Sequence, residues 1–196
     1  MPNALKQNIT GNGVNQGDIV AYLENVRDLV NEVKAFANDI RAKLVGNYVI
    51  GVPALTLGSN KDDVANALFH FMIGGKHYIK AAITTGTAPG NDVVPQSLFG
   101  AVAFDIGADG TIDAIEATAN ATGYASAALA VAALPAAATG HARIGWVTAT
   151  KSDGAFTFGT TEFDAANTTV AFTDAPTLAN AIAAAVATAD LKLTAG

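Results

Sequence analysis

The sequence predicts a mainly β chain with a helical appendage. An antiparallel β-sandwich or barrel-like body is preceded by one long amphipathic, coiled-coil-like α-helix and followed by a short C-terminal helix. Three observations predict it. First, Ile19, Val26, Val33 and Ile40 recur every seven residues, with Tyr22, Leu29 and Phe36 three behind the first three. This is an a/d seam with β-branched residues at every a position. Second, from residue 67 the apolar period changes to two, broken by turn signals roughly every 8–12 residues, as in sandwiches and barrels. Third, the chain is 51% hydrophobic, only 14% charged and contains 19 glycines, which suits a packed body rather than a disordered one.

Residues 1–17, with Pro2, Gly11, Gly13 and Gly17 among several asparagines, predict an extended arm. Asp18 is placed to cap the helix, since its carboxylate can accept an orphan N–H. The helix is expected over 18–46, about 40 Å long at roughly 1.5 Å per residue, with Gly46 beyond its last turn. Leu23, Val30, Ala37 and Leu44 widen the seam to a three-column face, which suits a trimer or a helix packed on its own domain.

Residues 47–66, with Gly51, Pro53, Gly58 and Asn60, predict a linker, and 67–174 the β domain. A first hairpin pairs Leu68–Ile73 with Lys76–Thr84 across Gly74-Gly75. Phe69, Phe71 and Ile73 share one face, and the return strand puts Ile79, Ala81 and Ile83 together. Residues 86–95 predict a loop. A second hairpin runs Phe99–Ile106, turn Gly107–Gly110, then Thr111–Thr118, with Val102, Phe104 and Ile106 inward. The Ala-rich stretch 119–140 predicts a crossover with a short strand near Leu129–Leu134. A third hairpin is His141–Thr150, turn Lys151–Gly154, and Ala155–Gly159. A last strand falls at Thr168–Thr173. In the segment 175–196, Leu178, Ile182 and Val186 at four-residue spacing predict the closing helix, capped by Asp174 or Thr177.

Composition narrows function. The net charge is −6, and no Lys or Arg lies between Ala81 and Ala142. Phosphate recognition rests on those cations, so neither nucleic acid nor an anionic membrane is an expected partner. There are no cysteines, hence no disulfide and no thiolate metal site. No secretory signal or membrane-spanning run is visible, so assembly in a cytoplasm is expected.

Candidate chemistry is sparse. Asp105, Asp109, Asp113 and Glu116 match positions one, five, nine and twelve of an EF-hand loop, with Gly110 and Ile112 at six and eight. Position three is Gly107, and the flanks alternate like strands, so an acidic hairpin is the preferred reading over Ca²⁺. His70, His77 and His141 are the only histidines. His70 and His77 lie on paired strands, yet zinc needs at least one more ligand, so surface or interface histidines are expected and no metal site. No Cys and no Gly-x-Ser-x-Gly elbow offer a nucleophile; Ser59, Ser97, Ser126 and Ser152 fall in turns or loops. The Gly-rich run Thr85–Gly90 lacks the Lys of a phosphate loop. Trp146 shares a strand face with Ile144 and is expected in the core. Asn8, Asn120 and Asn167 begin glycosylation sequons by letter only.

Two stretches carry a resemblance. One comprises Leu5 to Thr10, Gly13-Val14, Gly17-Asp18, Leu23, Val26, Leu29, Val30, Asn31 and Glu32. The other comprises His141 to Thr150, then Phe156, Gly159-Thr160-Thr161, Phe163, Asp164 and Ala165. The second resembles the Ile-Gly-x-Val and Phe-x-x-Gly-Thr-Thr pattern of structural virion proteins of tailed bacteriophages, including head-decoration and fibre-like proteins. The resemblance implies a non-enzymatic virion component, oligomeric and often trimeric, with no catalytic residues and no cofactors. The implied partners are other copies of the chain and the major capsid or another virion protein. The expected role is a capsid decoration or head-fibre protein, located in the virion and assembled in the host cytoplasm. Ile19, Tyr22, Val26, Leu29, Val33, Phe36 and Ile40 are the expected oligomerisation residues. The alternative is a tail or receptor-binding module recognising a host-surface glycan. An enzyme, which would need a cleft with two spaced carboxylates, ranks last.

Overall fold

A computed structural model describes residues 16–188. The chain is mainly β, with antiparallel sheets, one long N-terminal helix and a short C-terminal helix, and no closed barrel. Contacts divide it into two compact units. One comprises residues 16–42 with 182–188 among those described, and the other is Lys43–Ala181.

Helix α1 spans Gln16–Leu44. It is already helical two residues before Asp18, so Asp18 lies inside the first turn and is not its cap. Residues 1–15 of the expected arm fall outside the described residues. Gly46 follows the helix end, and its value is space: a Cβ there would come within 2.4 Å of the Tyr48 ring. The C-terminal helix α3, Leu178–Thr188, takes Thr177 as its cap, whose hydroxyl accepts from the Asn180 N–H at 3.4 Å. Asp174 is engaged elsewhere, accepting from the Leu55 N–H.

The β unit holds β1 (Tyr48–Val49), β2 (Thr56–Leu57), β3 (Val64–Asn66), β4 (Phe69–Ile73), β5 (Lys76–Lys80) and β6 (Ile83–Thr87). It continues with β7 (Val93–Val94), β8 (Gly100–Gly107), β9 (Ile112–Glu116), β10 (His141–Lys151), β11 (Phe156–Thr157) and β12 (Thr168–Asp174). The largest sheet has the order β12-β10-β8-β9. Sheets β1-β4-β5, β2-β3-β6 and β11-β7 complete the set. Their inward side chains share one core, in which Phe69, Phe71, Phe104, Ile106, Ile144, Val147, Phe156 and Phe158 are buried. Burial of such side chains stabilises each by about 1.5–3 kcal/mol before conformational costs.

Several expectations change here. The segment 47–66 is not a linker: it carries β1, β2 and β3, and Val49, Leu55 and Val64 enter the core. The first hairpin forms as expected, because Gly74 and Gly75 both adopt the left-handed conformation that its two-residue turn requires. That turn puts Ile73 opposite Lys76 and Phe71 opposite Tyr78. The inward face of β5 is therefore Tyr78, not Ile79, which is 59% exposed. A one-residue register difference moves every side chain to the other face. The return strand also breaks at Ala81, and β6 joins a different sheet. The loop expected at 86–95 contains β7, which pairs with β11. Residues 155–159 accordingly leave β10, which pairs instead with β8 and β12.

Within 119–140 the structure forms helix α2, Ala127–Ala132, where a strand was expected. The Ser126 hydroxyl accepts from the Leu129 N–H and starts it, and alanine is the best helix former. Ala130 of α2 packs on Ala101 and Ala117, on the sheet face opposite the main core. Strand β8 is thus buried along its whole length.

A bulge in β10 relocates Trp146. Arg143 pairs with Asp105 and Gly145 with Phe104, which leaves Ile144 as the extra residue. Ile144 fills the core, and Gly145 takes the inward position beside it. A Cβ at 145 would meet Leu55 Cδ1 and the Thr173 carbonyl, each at 2.4 Å. Beyond the bulge the alternation is inverted, so Trp146 faces away from Ile144 and is half-buried rather than in the core.

Candidate functional site

The α1 seam is the largest chemical anomaly of the chain. Tyr22 is 67% exposed, Val33 50% and Val26 37%, while Ile19, Leu29, Phe36 and Ile40 are half-buried. The neighbouring column adds Leu23, Val30 and Leu44, all exposed. Scattered exposed aliphatics are ordinary, but a continuous heptad column is a surface shaped for another helix.

In the acidic hairpin each carboxylate has its own partner. Asp105 is fully buried and takes a bidentate pair of bonds from Arg143, Nε at 2.8 Å and a terminal nitrogen at 3.2 Å. Fork-to-fork pairing of this kind satisfies both charges in a dry site. Asp109 accepts from the Thr111 N–H and hydroxyl, which hold its carboxyl below the usual carboxylate range. Asp113 lies 3.2 Å from His141 Nε2. Glu116 accepts from the backbone N–H groups of Asn91 and Asp92. At Asp105, Asp109, Asp113 and Glu116 the flanks are strands, and the four side chains diverge to separate contacts. Among the described residues no cluster of three or more His, Asp or Glu is arranged to hold a metal ion.

His70 and His77 do approach. Their rings stack with centroids 5.1 Å apart, and His70 Nδ1 lies 2.9 Å from His77 Nε2. Of the sequons, Asn120 is buried at 1% exposure and binds both backbone groups of Ala101. It completes the β-ladder at the start of β8 with a side-chain amide. Asn8 lies outside the described residues. Asn167 donates to Asp153, whose carboxyl is held low by Lys151 first and Asn167 second.

Two carboxyl sites had no sequence signal. Asp92 is pushed above the usual carboxylate range by burial first and by the facing Glu116 carboxylate second, with the Asn120 amide opposing. Gly90 permits this approach: a Cβ there would fall 2.0 Å from Glu116 Oε1. Asp63 is 3% exposed and accepts from the Gly86 N–H and the Asn60 amide, tying the β2–β3 turn to β6. Both depend on loops brought together across more than twenty residues, which no local motif encodes.

The Phe156–Ala165 stretch behaves as a turn module. The Thr160 and Thr161 N–H groups bond the Thr157 carbonyl, and the Thr161 hydroxyl accepts from the Thr157 N–H. Lys61 pairs with Asp164 at 2.9 Å, which raises the lysine above its ordinary value.

No helix among the described residues is long and apolar enough to cross a membrane. Comparisons with protein-family models, with curated proteins and with solved structures find no match for this chain.

Proposed function

We propose that the chain is a non-enzymatic structural protein of a tailed-phage virion, a capsid decoration or head-fibre protein that assembles as a homotrimer through α1. The observation that carries the self-association is the exposed heptad column of Tyr22, Val26 and Val33 on a helix of 29 residues. A second copy of the same column is its natural occupant, since heptad spacing matches only another helix of the same period. The virion assignment rests on the sequence resemblance. What supports a structural role in the β unit is that Asp105 pairs with Arg143, Asn120 binds both backbone groups of Ala101, and one oxygen of Asp63 ties the Gly86 N–H. Several copies on one particle would bind with high avidity from modest contacts.

The experiment is to band particles of the phage that encodes the chain and probe them with an antibody raised against it. The expected result is the chain in the particle band, at a copy number divisible by three. Recovery only in the soluble lysate contradicts the proposal.

A second reading, recognition of a host-surface glycan, is favoured by one observation. The bulge turns Trp146 out of the core, beside Arg143 and in register with Thr173. A glycan array with binding lost in Trp146→Ala supports that reading, and an array without hits removes it.

A further inference from the structure

Given the self-association through α1, on which this reading rests, we infer that neighbouring α1 helices pair parallel and in register. An acidic flank of one helix lies against a basic flank of the next. With Ile19, Val26, Val33 and Ile40 at the a positions, the apolar face of α1 consists of the a, d and e columns. At 3.6 residues per turn, d lies about 60° to one side of a, and e about 40° to the other. The next columns outward are g, about 120° away on the d side, and b, about 100° away on the e side. Beyond the first turn the g column reads Asn25, Glu32 and Asp39, with no cation. The b column reads Val20, Arg27, Lys34 and Arg41, with no anion. All of these side chains are exposed. The e column that separates b from the seam is apolar at Leu23, Val30, Ala37 and Leu44, which moves the basic flank out to b.

Flanks of opposite sign on either side of one apolar face decide how copies meet, because interhelical charges set partner choice and orientation in coiled coils. In a parallel, rotationally symmetric assembly the g flank of each helix meets the b side of its neighbour. Glu32 and Asp39 then face Arg27, Lys34 and Arg41. Lys34 follows Glu32 by two residues, and Arg41 follows Asp39 by two. At zero stagger that is an axial offset of about 3 Å between copies, within reach of these long side chains. In an antiparallel pair g meets g and b meets b, so acids face acids and bases face bases. Within one helix the two columns stand about 140° apart, on opposite sides of the apolar face, and do not neutralise each other. Arg27 lies 3.5 Å from Asp28 in its own helix, but both side chains are exposed and such a contact competes weakly.

The chain has no cysteine, so single cysteines report the orientation. Val26→Cys and Val33→Cys, both at exposed a positions, are oxidised with diamide in the full chain, separately and mixed. Parallel helices in register bring each a position against its own copy, so each variant alone is expected to form disulfide-linked dimers on a denaturing gel. An antiparallel pair can align one of these positions with itself but not both. The charges are tested by light scattering across a dilution series at low salt. Glu32→Lys is expected to weaken association roughly tenfold, since every copy of the pair is lost and a repulsion gained. Glu32→Lys/Lys34→Glu, which swaps the signs, is expected to restore it. Self-linking by only one cysteine variant, or linking only in the mixture, overturns the parallel arrangement while the self-association of α1 stands. So does a Glu32→Lys chain that associates like the wild type, or a double variant no better than Glu32→Lys. A wild type that is monomeric overturns both the orientation and the self-association.

Discussion

Helix α1 and strand β8 are both built on aliphatic side chains, yet they have opposite fates. Val33 of α1 is 50% exposed, while Val102 of β8 is fully buried. Strand β8 meets its needs inside its own unit. Phe104 and Ile106 face the main core, Ala101 meets α2, and Asp105 meets Arg143. Among the described residues, the heptad column of α1 has no such cover at Tyr22, Val26 and Val33, which stay exposed. An apolar pattern thus shows which face wants burial, but not whether the same chain supplies the burying surface.

The contrast can be broken most forcefully from the β8 side. Phe104→Ala is expected to destabilise the β unit by about 3–5 kcal/mol, read from urea unfolding. Val33→Ala in α1 should change that transition by no more than about 0.5 kcal/mol if the chain is kept monomeric by dilution. Asp105→Ala should cost a similar amount to the Phe104 change, about 3–5 kcal/mol, because it leaves the Arg143 guanidinium without its partner. Asn120→Ala should cost about 1–3 kcal/mol, since both backbone groups of Ala101 lose their bonds in a buried site.

The pH response sharpens the account further. Asp92 has a folded-state pKa raised by burial and by Glu116. A raised carboxyl contributes stability that is present below its ordinary, unfolded value and lost as pH rises through the folded one. Asp92→Asn is therefore expected to raise the melting temperature at neutral pH and to leave it unchanged in acid, by thermal scans across that window. The smallest effect belongs to Asp109. Thr111→Val removes the hydroxyl bond and should move the Asp109 titration upward, toward the ordinary carboxylate value, as read by NMR.

Legibility in the sequence followed the range of the interactions. The α1 helix, the Gly74-Gly75 hairpin, the β8–β9 hairpin and the last strand rest on local period and turn chemistry, and all formed. Three other features depend on distant partners. The core role of 47–66 comes from pairing with β4 and β6. The placement of Trp146 comes from a single extra residue at Ile144, which no periodicity marks. The alanines of the Ala127–Ala132 helix fit strand or helix geometry equally, and the Ser126 cap is the local signal that distinguishes them. At the site level, the proximity of His70 and His77 was readable from the hairpin. The Asp92–Glu116 encounter was not, because it joins a loop to a strand edge more than twenty residues away.

The central claim, that α1 joins copies of the chain, is tested most directly by light scattering of the purified full chain beside Val33→Asp. The account predicts a wild-type mass near three times 19.8 kDa and a variant near one. A wild type that stays monomeric contradicts it, as does an assembly whose mass Val33→Asp leaves unchanged.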